Sequence, residues 1–445
     1  MALLTGLGLG LVPASKLIAT GVAYKAKVLC SGVFVSQRDP QAVLSEDLAA
    51  EDLAPLRFID TTVDRAGQQV SASFLGLVRQ KAVYRAESGC RLSFADPVMP
   101  TPSMALAAPP PLAESAGMPV MPDTRLAAAL DWAFAEPDPE HLRRTRAVVI
   151  VKDGQIVAER YAPGFTAATA LPGWSMAKSV MNALVGILVG QGRLDLAAPA
   201  PVPEWQATGD PRRGIRLEQL MRMTSGLEFS ETPGQPLSDV TRMLMREPDA
   251  AAYAARKPLQ AKPGTRWAYA SGTTNIISRI LRERLGEAEY REFPRRALFE
   301  PLGMDSARLE TDAAGHFVGS SFLYATARDW AKFGQLYLQD GVWQGKRILP
   351  AGWVGYSATP TPPSDGQYGA HFWLDIAADY RLSDPGEPLP PGAFHAMGYE
   401  GQCVSIIPSH GLVVVRLGLT RTASAWRQDR FIHRVISALA AEGGA

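Results

Sequence analysis

Wound at 3.6 residues per turn, the stretch SMAKSVMNALVGILVGQG (residues 175–192) carries apolar side chains on nearly every side of the helix. Such a helix cannot lie on a surface, so the rest of the chain must surround it. Nothing breaks the pattern before Gly192, which suits a helix end. Lys178 follows Ser175 by three residues and shares its helix face. An ammonium in that setting is costly unless it is paired or gives up its proton.

The surrounding elements come from both ends of the chain. RAVVIVKDGQIVAERYAPG (residues 146–164) holds two β-branched runs around Asp153-Gly154, a strong hairpin signal. GAHFWLDI (369–376) and AFHAMGYEGQCVSIIPSHGLVVVRLGL (393–419) have the composition of strands. RLAAALDWAFAE from Arg125 and WRQDRFIHRVISALAAE near the C-terminus pattern as helices. Residues 195–345 are expected to be mostly helical. The fold class that follows is α+β: an antiparallel sheet built from distant parts of the chain, flanked by helices, with an inserted helical region. Upstream, VLCSGVFVSQR (28–38) and VSASFLGLVRQKAVYRAESGCRLSF (70–94) predict strands, hence a small N-terminal β-containing extension. DPVMPTPSMALAAPPPLAESAGMP (96–119) has too many prolines for regular structure. The expected organisation is an export signal or membrane anchor over 1–27, the extension over 28–95, a Pro-rich linker over 96–122 and the main domain over 123–445.

The chain has 445 residues, 47% hydrophobic and 20% charged, with a formal net charge of +1. That balance gives no reason to expect nucleic acid as a partner, and no basic block is present to neutralise phosphates. The sequence does not fix the oligomeric state. MALLTGLGLGLVPASKLIATGVAY (1–24) is apolar with Lys16 as its only charge, but Pro13 and Lys16 interrupt it. It lacks a basic leader and a clean cleavage site, so it makes a poor signal peptide and a mediocre membrane span. N-terminal membrane association and a periplasmic or periplasm-facing location are expected, with a cytoplasmic location as the alternative. In an oxidising compartment Cys30 and Cys90 are candidates for a disulfide, with Cys403 a buried thiol; the alternative is three free thiols.

Three stretches carry chemistry. A desolvated lysine beside Ser175 can be neutral enough to take the hydroxyl proton. A Ser-x-x-Lys string alone arises by chance about once or twice in a chain this long, so its context matters. In KPGTRWAYASGTTNIISRIL (262–281), Tyr269 lies between a Pro-Gly turn and a helix-like apolar run. A phenol near an ammonium can shuttle a proton, although this stretch alone favours Tyr269 as an aromatic packed beside Trp267. In FHAMGYEGQ (394–402), Gly398 and Gly401 permit close backbone approach, so a backbone N–H could meet a developing oxyanion.

In this order, GWSMAKS, LMRMTSGL, PGTRWAYASG, PLGM and HAMGYEGQ resemble the serine β-lactamase and penicillin-recognising superfamily, over roughly residues 125–440. The likeness is to its class C, esterase and 6-aminohexanoate-oligomer hydrolase branch. The resemblance implies a serine hydrolase acting on a small-molecule ester or amide. Ser175 would be the acyl-forming nucleophile, Lys178 its proton partner and Tyr269 the general base and acid. The backbone N–H groups of Ser175 and Tyr399 would form the oxyanion hole. Ser271, His395, Gly398 and Asp239 are candidates for substrate binding, with Glu231 in the same loop as Asp239. No metal or organic cofactor is implied.

The chain departs from the pattern in one telling place. β-Lactamases and D-alanyl peptidases of this group carry Lys-Thr-Gly on the strand beside the nucleophile. Here those positions read Ala396-Met397-Gly398. Losing the cation and the hydroxyl removes charge-assisted hydrogen bonds to a substrate carboxylate. The alternatives are a β-lactamase or D-alanyl peptidase, which Ala396 disfavours, and a non-catalytic penicillin-binding-type sensor. A sensor would not need Ser175, Lys178 and Tyr269 together.

Overall fold

The β-branched run at Thr145–Lys152 and the one at Leu412–Gly418 lie 260 residues apart in sequence yet pair side by side, Val149 opposite Val415. A computed structural model describes residues 2–94, 124–376 and 388–440. The whole of the expected linker, 96–122, lies outside these residues.

Two units are seen. In the first, helix α1 (Ala2–Cys30) packs on a four-stranded antiparallel sheet, β1 (Asp60–Asp64), β2 (Gln69–Phe74), β3 (Val78–Arg85) and β4 (Gly89–Ser93). Val22, Ala23, Ala26 and Leu29 of the helix share one core with Val70, Ala72, Ala82 and Leu92 of the strands. The boundary expected between residues 27 and 28 therefore falls inside a continuous helix. Residues 28–38 are not the expected strand either. The helix runs on to Cys30 and a wide turn follows over Ser31–Val35, every residue of it buried. An unbroken apolar run is compatible with either structure, and the helix already under way claims it. Cys30 and Cys90 are joined by a disulfide between helix and sheet.

In the second unit, α2 (Thr124–Phe134) precedes the hairpin of β5 (Thr145–Lys152) and β6 (Gln155–Tyr161). Asp153 and Gly154 both take positive φ at its turn, as a two-residue hairpin needs. Later come α3 (Ala177–Gly190), α4 (Asp239–Arg246), α5 (Ala250–Ala255), α6 (Ser271–Leu285), α7 (Ala327–Leu338), three strands and α8 (Gln428–Ala440). The strands are β7 (Phe394–Gly398), β8 (Gln402–Ile407) and β9 (Leu412–Gly418), and the antiparallel sheet runs β7-β8-β9-β5-β6. GAHFWLDI is not a strand: only single bridges, Tyr368 with Trp373 and Trp373 with His395, tie it in.

Alternation along the strands gives the sheet two covered faces. Val148, Ile150 and Val414 meet Leu130 of α2 and Phe431, Ile432 and Val435 of α8. Val149, Val151, Val404 and Val413 meet Trp330 and Phe333 of α7 and, beyond them, α3. Every residue of α3 from Ala177 to Leu188 is buried, which is the outcome its uniformly apolar surface demands.

The units meet at Glu310, which is fully buried. It pairs with Lys27 of α1 and accepts from Ser31 Oγ at 3.0 Å and from the Cys90 N–H at 2.7 Å. Met245, Val318 and Phe322 of the second unit complete the core of the first.

Candidate active site

Gly173 is forced small: a Cβ there would sit 2.4 Å from the Trp330 ring. The chain then makes a tight turn over Trp174–Met176 before α3 begins. Trp174 holds φ +47°, a left-handed conformation that a bulky residue adopts only when held. The clasp is Glu400, whose carboxylate accepts from Trp174 Nε1 at 2.8 Å and from Arg421 at 2.6 Å. Arg421 is anchored in turn by Asp52 of the N-terminal unit.

The turn leaves Ser175 half-buried, while Lys178, one turn on, is 1% exposed. The Lys178 ammonium donates to Ser175 Oγ at 2.8 Å, Ser271 Oγ at 2.9 Å and the Ser320 carbonyl at 3.0 Å. Three donors thus meet three acceptors. Burial lowers its pKa to about 8, with the Glu231 carboxylate opposing that shift. His371 beside it is held neutral, its pKa lowered to about 3 by burial and then by Lys178.

Tyr269 closes the group. Its ring centroid lies 4.8 Å from the Lys178 ammonium. The ring stacks on Trp373 at 5.3 Å and meets the edge of Tyr368 at 5.8 Å. Trp267 packs against the same two rings, so the aromatic packing weighed for Tyr269 holds alongside its closeness to Lys178. The Ser175 hydroxyl, the Lys178 amine and the Tyr269 ring, ninety-four residues apart at the extremes, are brought together at one place.

The strand side of the cleft is β7. A Cβ on Gly398 would lie 2.1 Å from the Gly173 carbonyl oxygen, so strand and serine turn touch backbone to backbone. Tyr399 follows, its ring edge-on to Trp174 at 5.9 Å. Its N–H therefore belongs to the chain segment abutting the Ser175 turn.

The other candidates for substrate contact are placed differently. Ser271 is 1% exposed and engaged on both sides: it accepts from Lys178, and its Oγ and N–H donate to Glu231 at 2.6 and 2.8 Å. Asp239 accepts from Tyr253, Lys257 and, at 2.9 Å, the Ser230 N–H, so it fastens its loop to neighbouring elements instead of presenting a free carboxylate. His395 is fully buried, its Nδ1 3.0 Å from Ser405 Oγ. Alternation sends it with Met397 to the α8 side of the sheet, while Ala396 faces the α3 side.

Two functional carboxylates escaped sequence reasoning in their present roles. Glu231 braces Ser271 and Lys178, and Glu400 braces Trp174. Only the Gly-x-x-Gly bend around Glu400, at φ +64°, marked that position. Among the described residues, Asp249, Asp312 and His316 are grouped closely enough to hold a metal ion. Their oxygens already cap backbone N–H groups of Ala250, Ala252 and His316 at 2.8–2.9 Å, which is structural work.

Comparison with known proteins points the same way. The 6-aminohexanoate-dimer hydrolase of Paenarthrobacter ureafaciens is 28% identical over 220 residues, 47% of this chain. The match covers 56% of that hydrolase, so the chain spans about half the length of this curated relative. A solved Bacillus anthracis protein, provisionally assigned as a 6-aminohexanoate-dimer hydrolase, is 26% identical with a TM-score of 0.53, over 67% of this chain and 79% of its own. A family VIII carboxylesterase shares the fold at 17% identity and a TM-score of 0.54, over 71% of this chain and 96% of its own. The family model for beta-lactamase matches residues 130–432, from inside α2 to inside α8. Over that span, about two thirds of its length, the chain belongs to the beta-lactamase family.

Proposed function

We propose that this chain hydrolyses an ester or amide through an acyl-enzyme on Ser175. The observation that carries the reading is the 2.8 Å contact between Ser175 Oγ and an ammonium whose pKa is lowered to about 8. Near neutral pH a useful fraction of Lys178 is the free amine, which can accept the hydroxyl proton as Ser175 attacks the carbonyl carbon. The N–H groups of Ser175 and Tyr399 stabilise the oxyanion of the tetrahedral intermediate. Its collapse breaks the bond to the leaving group, which takes the proton by way of Tyr269. Water then attacks the acyl carbonyl, loses its proton to the same base and releases the acid, returning the proton to Ser175.

Substrate class follows from the walls. Trp174, Tyr399 and Trp373 offer partly exposed apolar surface, and Ala396 brings neither charge nor hydrogen bond to the strand beside them. Among the described residues, Arg421 is engaged by Glu400 and Asp52, and Lys257 by Asp239. A substrate without a carboxylate next to the scissile bond fits best, as in a simple ester or a linear amide. This disfavours β-lactam or D-alanyl peptide turnover.

The test is hydrolysis of p-nitrophenyl butyrate together with intact-mass detection of an acyl adduct. The expected result is turnover with a transient adduct on Ser175, both absent in Ser175→Ala. Turnover that persists in Ser175→Ala overturns the reading. The Cys30–Cys90 disulfide supports an oxidising, periplasm-like compartment as the place of action.

A further inference from the structure

We propose that the N-terminal unit carries a lipid-docking face, which seats the folded unit on an anionic bilayer surface. The observation is where the exposed apolar residues fall. Among the described residues, five large apolar side chains are solvent-exposed: Leu17, Phe58, Leu75, Leu77 and Leu237. They come from four separate stretches of chain, and the structure gathers them at one end of the N-terminal unit.

The gathering can be followed contact by contact. Leu75 and Leu77 flank Gly76 at the tip of the β2–β3 hairpin, closed by the Phe74–Val78 pair, and are 72% and 85% exposed. β1 begins at the same end, with Asp60 opposite Ser73, so Phe58 just before it lies beside the hairpin tip. α1 runs toward this end as it is traced back from Cys30. Its last residue is bonded to Cys90, opposite Tyr84 on β3, and at Gly21 it meets Leu56 and Ile59. The thirteen residues from Cys30 back to Leu17 cover about 20 Å of helix. The six steps of β3 from Tyr84 back to Val78 cover about 20 Å of strand. Leu17 and the tip are therefore level. Leu237 joins them through Thr20, whose Oγ1 lies 3.4 Å from the Pro236 carbonyl.

The occupant is argued from three features. First, Lys16, Arg57 and Arg79 are exposed on this end, and the acid there, Asp60, is offset by Lys25. Apolar side chains rimmed by cations match an anionic lipid surface. Second, the helix continues through Ala14 into a stretch that, from Ala2 to Pro13, carries no charge in the sequence. Third, residues 14–35 are long and apolar enough to cross a bilayer, but most of this stretch is buried inside the protein. Lipid cannot surround Val22–Val35 while they pack on the sheet, so this part of the helix stays outside the bilayer.

The test uses the full, disulfide-bonded chain and sedimentation with mixed phosphatidylcholine–phosphatidylglycerol vesicles. The wild type is expected to co-sediment. Leu75→Ser/Leu77→Ser lowers its partition about tenfold or more. Phe58→Ser lowers it from a separate point of the face, so a folding fault in the hairpin variant, visible in its melting curve, leaves the idea testable. Lys16→Gln/Arg57→Gln weakens binding to the mixed vesicles and not to pure phosphatidylcholine. Three outcomes overturn the proposal: a wild type that stays in the supernatant, variants that all bind as the wild type does, or light scattering that finds a dimer split by Leu75→Ser/Leu77→Ser. The last would assign the face to a second copy of the chain.

Discussion

The hydroxyl of Ser271 donates to Glu231 at 2.6 Å while accepting from Lys178 at 2.9 Å, so a carboxylate is linked to the buried amine through one serine. Burial raises the Glu231 carboxyl, and the Lys178 charge holds it down. The two groups support each other's charged forms. Removing the carboxylate therefore lowers the Lys178 pKa further. A Glu231→Gln variant is expected to keep its serine reactive, with the acidic limb of kcat/KM moved to lower pH. A full pH–rate profile checks this; an unmoved limb would disconnect Glu231 from the base.

In the unmodified protein the sign is fixed by the base requirement. Lys178 must be neutral to take a proton, and its pKa is lowered to about 8. The rate kcat/KM should rise with pH and level off above about 8. Lys178→Ala and Tyr269→Phe should each lower kcat by on the order of a hundredfold or more. Stopped assays with p-nitrophenyl butyrate on the folded variants measure both.

Glu400 makes a separate demand. It fastens Trp174 in a left-handed turn beside Ser175. Glu400→Ala should cost about 1–3 kcal/mol of stability by leaving the indole N–H of Trp174 without its acceptor and Arg421 with Asp52 alone. It should also lower kcat more than it raises KM, because the serine turn relaxes. Chemical denaturation and steady-state kinetics on one preparation separate the two effects.

The seam between the units rests on Lys27 and Glu310. Breaking a buried pair from one side costs about 3–5 kcal/mol, and replacing both partners by apolar groups recovers much of it. Glu310→Leu alone should be strongly destabilised, and Lys27→Met/Glu310→Leu should regain most of the loss. A double-mutant cycle in urea reads the difference.

Substrate choice gives the last prediction. His395→Gln should leave kcat/KM for p-nitrophenyl butyrate within a few-fold, since the ring faces the far side of the sheet. Nitrocefin should be turned over slowly or not at all, because Ala396 supplies no partner for its carboxylate. Fast nitrocefin turnover would refute the argument from Ala396.

Much of the scaffold was legible because its signals are local. The Asp153-Gly154 turn, the all-round apolar α3 and the closing α8 each declare themselves within twenty residues. Residues 28–35 misled for the same reason: Val, Phe and Val suit strand and buried helix alike, and only the preceding helix decides. At the site, Ser175, Lys178 and Tyr269 could be named because resemblance supplied a pattern for them. The supports could not. Which of the loop acids Glu231 and Asp239 turns inward depends on how the loop folds over Ser271, and no spacing encodes that. His395 stayed open between a substrate contact and a packed strand histidine because nothing in FHAMG reveals which parity of the strand faces α3.

The near contact of Gly398 with the Gly173 carbonyl has a practical reach for anyone remodelling this pocket. Position 398 is closed to every side chain, since even a methyl group would pry the strand from the loop that presents the nucleophile. Position 396, two residues earlier on the same strand, is a fully buried alanine packed in the core on the α3 side, so enlarging it would also disturb the sheet. New selectivity is therefore best sought by mutagenesis libraries that diversify the partly exposed Trp174 and Tyr399 and leave 396 and 398 as they are.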